Sequence, residues 1–189
     1  MKAYTNKTKQ SVTSPLMAKL TATCSNLTSV EIRYANLESI KVNDFPDQLE
    51  SLSLIRCEIP VNWFKENRFT GLRSLNLTDS ANVRPSHMDD LIANPLMKSL
   101  EQLTLKGCYR ISDRAIEMFI EKSFDCLVRL DLSGTVCTNT SIHFICTNAN
   151  STFAKLNYLS IKNCKNLLNT DFSHIIPSFK QNESFVLDH

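Results

Sequence analysis

The chain has 189 residues, 42% of them hydrophobic and 21% charged, with a formal net charge of +2. That length suits one domain, and so small a charge excludes a general nucleic-acid binder, whose footprint is a strong basic patch. No apolar run approaches the roughly 18 residues a membrane helix needs, no secretory signal is expected at the start, and only three glycines leave no phosphate-cradling loop.

Residues 1–13 read as a flexible tail in which Lys2, Lys7 and Lys9 stand without an acid. Residues 14–189 read as one repeat domain. Ser14-Pro15 opens a helix through Leu20, with serine as the cap and proline at the first helical position. Six copies of a spaced apolar triplet follow: Leu27-Val30-Ile32, Leu49-Leu52-Leu54, Leu72-Leu75-Leu77, Leu100-Leu103-Leu105, Leu127-Leu130-Leu132 and Leu156-Leu159-Ile161. Between them lie helix signals. Trp63-Phe64 starts a short segment. Pro85-Ser86 opens a helix that runs to Ile92 and stops before Pro95. Asp113 is placed to cap residues 114–122, where Ile116, Phe119 and Ile120 form one apolar stripe. Thr140-Ser141 opens a further helix with Ile142, Phe144 and Ile145, and a short one is expected from Thr170-Asp171 to Pro177.

The first leucines stand at 27, 49, 72, 100, 127 and 156, so the steps are 22, 23, 28, 27 and 29 residues. Steps of roughly 20–29 residues with this triplet are the signature of a leucine-rich repeat. The expected fold is α/β: a right-handed solenoid of about six repeats with a concave parallel β-sheet and convex helices. The two short steps leave room for a strand and a turn, and the long ones for a convex helix of about three turns. Cys57, Cys108 and Cys164 follow their strands by three residues, where the other copies carry Ala35, Ser80 and Thr135. Small, weakly polar groups there suit a ladder of side-chain bonds to neighbouring turns.

Seven cysteines without paired spacing point to a reducing compartment, cytoplasmic or nuclear, rather than a disulfide framework. The six N-x-[ST] matches, at Asn6, Asn26, Asn76, Asn139, Asn150 and Asn182, are read as chance. A glycan on Asn76 would fill the concave face. No C-x-x-C spacing occurs, and His87, His143, His174 and His189 are scattered, so no metal, no cofactor and no catalytic residues are expected, and the protein is not expected to be an enzyme.

Alternate strand residues point away from the core, and they form three columns on the concave face. The first reads Ser29, Ser51, Ser74, Gln102, Arg129, Tyr158; the second Glu31, Ser53, Asn76, Thr104, Asp131, Ser160; the third Arg33, Ile55, Thr78, Lys106, Ser133, Lys162. The middle is small and polar, and the C-terminal end carries charge and an aromatic. The candidate partner-binding residues are Glu31, Arg33, Ile55, Lys106, Tyr109, Arg110, Arg129, Asp131, Tyr158 and Lys162. Arginine and tyrosine are favoured interface anchors, and the cations point to a protein ligand that is net acidic or phosphorylated.

The form Leu-x-x-Leu-x-Leu-x-x-Cys-x-x-[IL]-[ST]-[DN], complete from Leu100 to Asp113, resembles the cysteine-containing leucine-rich repeats of the F-box/LRR family, and residues 14–64 carry further likeness. The resemblance implies a substrate-recognition subunit of a cullin-RING ubiquitin ligase, whose F-box docks on the ligase adaptor while the repeats hold the substrate. No F-box is recognisable here. The expectation is therefore a fragment or isoform that reaches adaptor and cullin only if an F-box is supplied; the alternative is a stand-alone adaptor or assembly factor. Leu16, Met17 and Leu20 would lie at an uncapped end, where self-association is expected.

Overall fold

A computed structural model describes residues 13–66, 68–123, 125–149, 155–167 and 186–188. The strands are β1 (Ser29–Arg33), β2 (Ser51–Ile55), β3 (Ser74–Asn76), β4 (Gln102–Thr104), β5 (Arg129–Asp131), β6 (Tyr158–Ser160) and β7 (Val186–Asp188). They form one parallel sheet in sequential order. Val30, Leu52, Leu75, Leu103, Leu130 and Leu159 align strand to strand, and all six are buried. The period-2 alternation of a strand thus sends these six residues inward and leaves their strand neighbours facing the other way, all of them at least partly exposed except Ser160, which is buried.

Among the described residues four helices occur: α1 (Ser14–Thr23), α2 (Pro85–Ala93), α3 (Asp113–Ser123) and α4 (Asn139–Ala149). Helices α2, α3 and α4 occupy the three long steps and pack side by side. Ile116, Phe119, Ile120, Ile142 and Ile145 turn into the core that the sheet closes. The short steps hold single 3-10 turns, Val42–Asp44 and Trp63–Lys65. Aromatic rings fill the space a helix would occupy. Trp63 meets Phe45 and Phe64 edge-on at 5.6 and 5.1 Å, Phe45 meets Phe69 at 5.8 Å, and the indole N–H donates to the Ile40 carbonyl at 3.0 Å.

Two helix starts differ from the sequence reading. The Ile116 N–H donates to the Ser112 carbonyl, so Ser112 is the cap of α3. Asp113 instead reaches the next repeat, accepting the Thr138 backbone N–H at 2.8 Å and its hydroxyl at 2.7 Å. Thr138 in turn caps α4 by accepting the Thr140 N–H. Inter-repeat bonding thus takes the carboxylate from a local cap. At the α1 end, Met17 is buried, Leu20 packs partly buried on the core and Leu16 is exposed. The helix expected from Thr170 to Pro177 lies outside the described residues.

The strand β7 was not among the six copies. Its register, Leu159 with Leu187, shows why. Relative to Leu156-Leu159-Ile161, the seventh segment carries Ser184, Leu187 and His189, so one of three pattern positions survives.

Candidate functional site

The ladder that follows each strand sets the spacing of the open face. The Cys57 thiol donates to the Ile32 carbonyl of the preceding turn at 3.5 Å, Ser80 to Leu54 at 2.9 Å, Cys108 to Leu77 at 3.1 Å and Cys164 to Leu132 at 3.1 Å. Thr135 breaks the pattern and donates to Leu132 of its own turn at 2.7 Å. Burial pushes the Cys57 and Cys108 thiols up to about 11 and about 12, because the thiolate loses its hydration. Cys57 and Cys108 are thus neutral hydrogen-bonding spacers.

One residue before each ladder position the backbone turns left-handed: Tyr34 (φ 58°), Arg56 (54°), Asp79 (56°), Gly107 (72°), Gly134 (67°) and Asn163 (57°). Glycine takes this conformation at no steric cost, and bulky residues do not. Tyr34, Arg56 and Asp79 nevertheless hold it, and they are linked. Arg56 donates to the Tyr34 hydroxyl at 3.0 Å, lies over its ring at 5.5 Å and pairs with Asp79 at 3.1 Å. The neighbouring carboxylate and the phenol hydroxyl raise the Arg56 pKa. Arg56 and Asp79 line a hollow of about 460 Å³ together with Glu38, Glu58, Asn82 and Arg110. Sequence reasoning missed all three residues. The signal was Gly107 and Gly134 in the equivalent positions.

The candidate residues fall into three groups. Glu31 and Arg33 lie on β1 and pair with each other at 2.8 Å; Ile55 ends β2 beside Arg33. Tyr109 and Arg110 stand past β4 on the rim, where Arg110 lies over the Tyr109 ring at 5.8 Å and lines the 460 Å³ hollow. Arg129, Asp131, Tyr158 and Lys162 come together at β5 and β6. The Arg129 guanidinium carbon lies 4.0 Å over the centroid of the Tyr158 ring. The Asp131 carboxylate accepts the Ser133 N–H at 2.9 Å. Lys106 is exposed at the end of the adjacent repeat.

Asp188 on β7 organises this group, and no sequence pattern marked it. It accepts the Tyr158 hydroxyl at 3.1 Å and pairs with Lys162 at 2.7 Å. Hydrogen bonds from Lys162 and then Tyr158, opposed by partial burial, hold its carboxyl below the ordinary range, while the same pairing raises Lys162. Lys162 is therefore neutralised, whereas among the described residues no carboxylate pairs with Arg129. Among the described residues no group of three or more His, Cys, Asp or Glu could hold a metal ion, and no helix is long and apolar enough to cross a membrane.

No protein-family model matches the chain. It is similar to F-box/LRR-repeat protein 12 of Bos taurus, 30% identical over 124 residues, 65% of this chain and 37% of that protein. The Mus musculus protein of the same name is 26% identical over 127 residues, with 65% and 37% covered. This chain thus spans well under half the length of these relatives. Among solved structures it resembles the crystal structure of the Rad7 and Elc1 complex in yeast, with a TM-score of 0.55 and 17% identity over 93% of this chain and 52% of that one; this likeness concerns the fold alone. Over 65% of its length the chain is thus similar to leucine-rich-repeat proteins of the F-box/LRR kind.

Proposed function

We propose that this chain is the substrate-recognition part of an F-box-type cullin-RING ubiquitin ligase, holding a protein substrate on the concave side of a right-handed solenoid. One observation carries the binding role: a continuous sheet face whose outward columns are polar and charged while its inward columns are sealed in the core. Likeness to F-box/LRR-repeat protein 12 supports the ligase assignment. The work of such a face is positioning: it raises the effective concentration of a substrate near a transferring enzyme, and the chemistry lies elsewhere. Adaptor and cullin would be reached through an F-box, a helical segment distinct from these repeats, in the cytoplasm or nucleus. Self-association at the α1 end would rest chiefly on Leu16, which is 49% exposed.

The test is affinity purification of the chain with and without an F-box joined ahead of it. Adaptor and cullin should appear only with the F-box form, and a common partner with both. That partner should be lost on Ser74→Arg, which places a large charge in the middle of the face. Recovery of the ligase adaptor by the repeats alone, or a partner indifferent to Ser74→Arg, would overturn the reading. A partner captured with no ligase component in either form would favour a stand-alone adaptor.

A further inference from the structure

Most cations flanking the strands are neutralised by a carboxylate. Arg33 pairs with Glu31, Arg56 with Asp79, Arg73 with Glu101 and Lys162 with Asp188. Among the described residues no carboxylate pairs with Arg129 or with Lys106. Both are exposed and lie one repeat apart, at β5 and just past β4. Arg129 is also held in place. Its guanidinium lies 4.0 Å over the Tyr158 ring, and that ring is tied through its hydroxyl to Asp188. Beside it is a hollow of about 140 Å³ lined by Gln102, Thr104, Arg129, Asp131 and Tyr158.

We propose that Arg129, seated on Tyr158, anchors an aspartate or glutamate side chain of an acidic segment of the partner polypeptide lying across β4, β5 and β6. This rests on the sheet being the protein-binding face and names the chemistry of what it binds. A guanidinium held over an aromatic ring still has N–H groups to offer, in the fork that matches a carboxylate with two parallel bonds. Stacking fixes the side chain before the partner arrives, so less rotamer freedom is lost on binding. A carboxylate fits better than a phosphoryl group. Asp131 lines the same hollow and repels a near-dianion roughly twice as strongly as a monoanion. Phosphate-recognising surfaces gather several arginines, and this hollow has one. Lys106 adds screened, longer-range attraction that steers approach.

The experiment uses the full chain and fluorescein-labelled ten-residue peptide pools of one random background. Their two central positions are Glu/Asp, Gln/Asn, phosphoserine or Lys. Fluorescence anisotropy should show the Glu/Asp pool binding at least about tenfold more tightly than the Gln/Asn pool, a difference of about 1.4 kcal/mol. Arg129→Gln should abolish that preference, and Arg129→Lys should not restore it, since a point charge lacks the fork. Lys106→Gln should weaken binding by roughly two- to threefold and flatten its salt dependence. Arg114→Gln, on the helix layer, should change nothing, and circular dichroism melts should show every variant folded. Equal binding of the Glu/Asp and Gln/Asn pools, no effect of Arg129→Gln, or tighter binding of the phosphoserine pool would overturn the assignment. If Arg129→Gln is silent while Ser74→Arg abolishes peptide binding, the face still binds protein and only the anchor is wrong. If neither changes binding, both readings fail.

Discussion

Ser80 is the most informative position in the ladder, because its hydroxyl serves two backbone groups at once. It is fully buried, donates to the Leu54 carbonyl at 2.9 Å and accepts the Cys57 N–H at 3.1 Å. Ser80→Ala leaves both without that partner in the core. An orphaned buried backbone group costs at least about 1 kcal/mol, so the pair should cost at least about 2 kcal/mol. For a domain of this size one kcal/mol moves the midpoint by roughly 2–4 °C, which places the expected fall in Tm at roughly 4–8 °C or more. Ser80→Cys gives the side chain used at Cys57, Cys108 and Cys164. Its thiol can still donate to Leu54 but accepts only weakly from Cys57, so about 1 kcal/mol should be lost. Thermal and urea unfolding followed by circular dichroism measures both, with an unchanged urea slope showing that the native fold is the same. A Ser80→Ala protein melting with the unmodified chain, or a Ser80→Cys protein no better than Ser80→Ala, would refute the ladder as a source of stability.

Other expectations follow from single contacts. A Cβ at Gly107 would fall well inside contact distance of the Asp79 carboxylate at a φ of +72°, so Gly107→Ala should cost about 1–2 kcal/mol from backbone strain alone. Further loss comes from displacing Asp79, and adding Asp79→Ala should recover that second part in a double-mutant cycle. At Asp113, burial raises the pKa, but hydrogen bonds from Thr138 and Ser141 outweigh it and hold the group below its ordinary value. A depressed folded pKa means this stability is present above the unfolded value near 3.9 and is lost as pH falls through the lower folded one. Asp113→Asn should therefore be less stable at pH 7 by about 1 kcal/mol after discounting for solvent; in acid melts the gap should begin to close below about pH 4 and vanish only below the lower folded pKa. In thiol labelling at pH 8, Cys24, which is partly exposed, should react in the folded state, while Cys57, Cys108 and Cys146, whose thiols burial pushes up to about 11, about 12 and about 12, should react only on unfolding; rapid labelling of Cys108 in the native protein would contradict the packing.

The sheet was legible because its code is local. Leucine at alternating positions fixes which side of each strand is buried, and step length separates the helical repeats from those filled by Phe45, Trp63, Phe64 and Phe69. Column order followed from the same alternation, since parallel register aligns equivalent residues. Contacts between columns were not legible. Nothing in the spacing says that Lys162 is neutralised, because that depends on Asp188 from a strand with one recognisable leucine. The Tyr34–Arg56–Asp79 chain was hidden for a different reason. Its residues sit where glycine is the recognisable choice, and a left-handed backbone leaves no mark when the side chain is large. Asp113 was read as a cap because local capping and inter-repeat bonding use the same residue types, and only geometry separates them.

Site-specific photo-crosslinking tests the account most directly. A photoreactive residue in place of Thr104, on the open face of β4, should cross-link to the captured partner; the same residue in place of Glu121, exposed on α3 in the helix layer, should not. Cross-links from position 121 in the absence of any from position 104 would place the partner on the helices and contradict a sheet-face recognition surface.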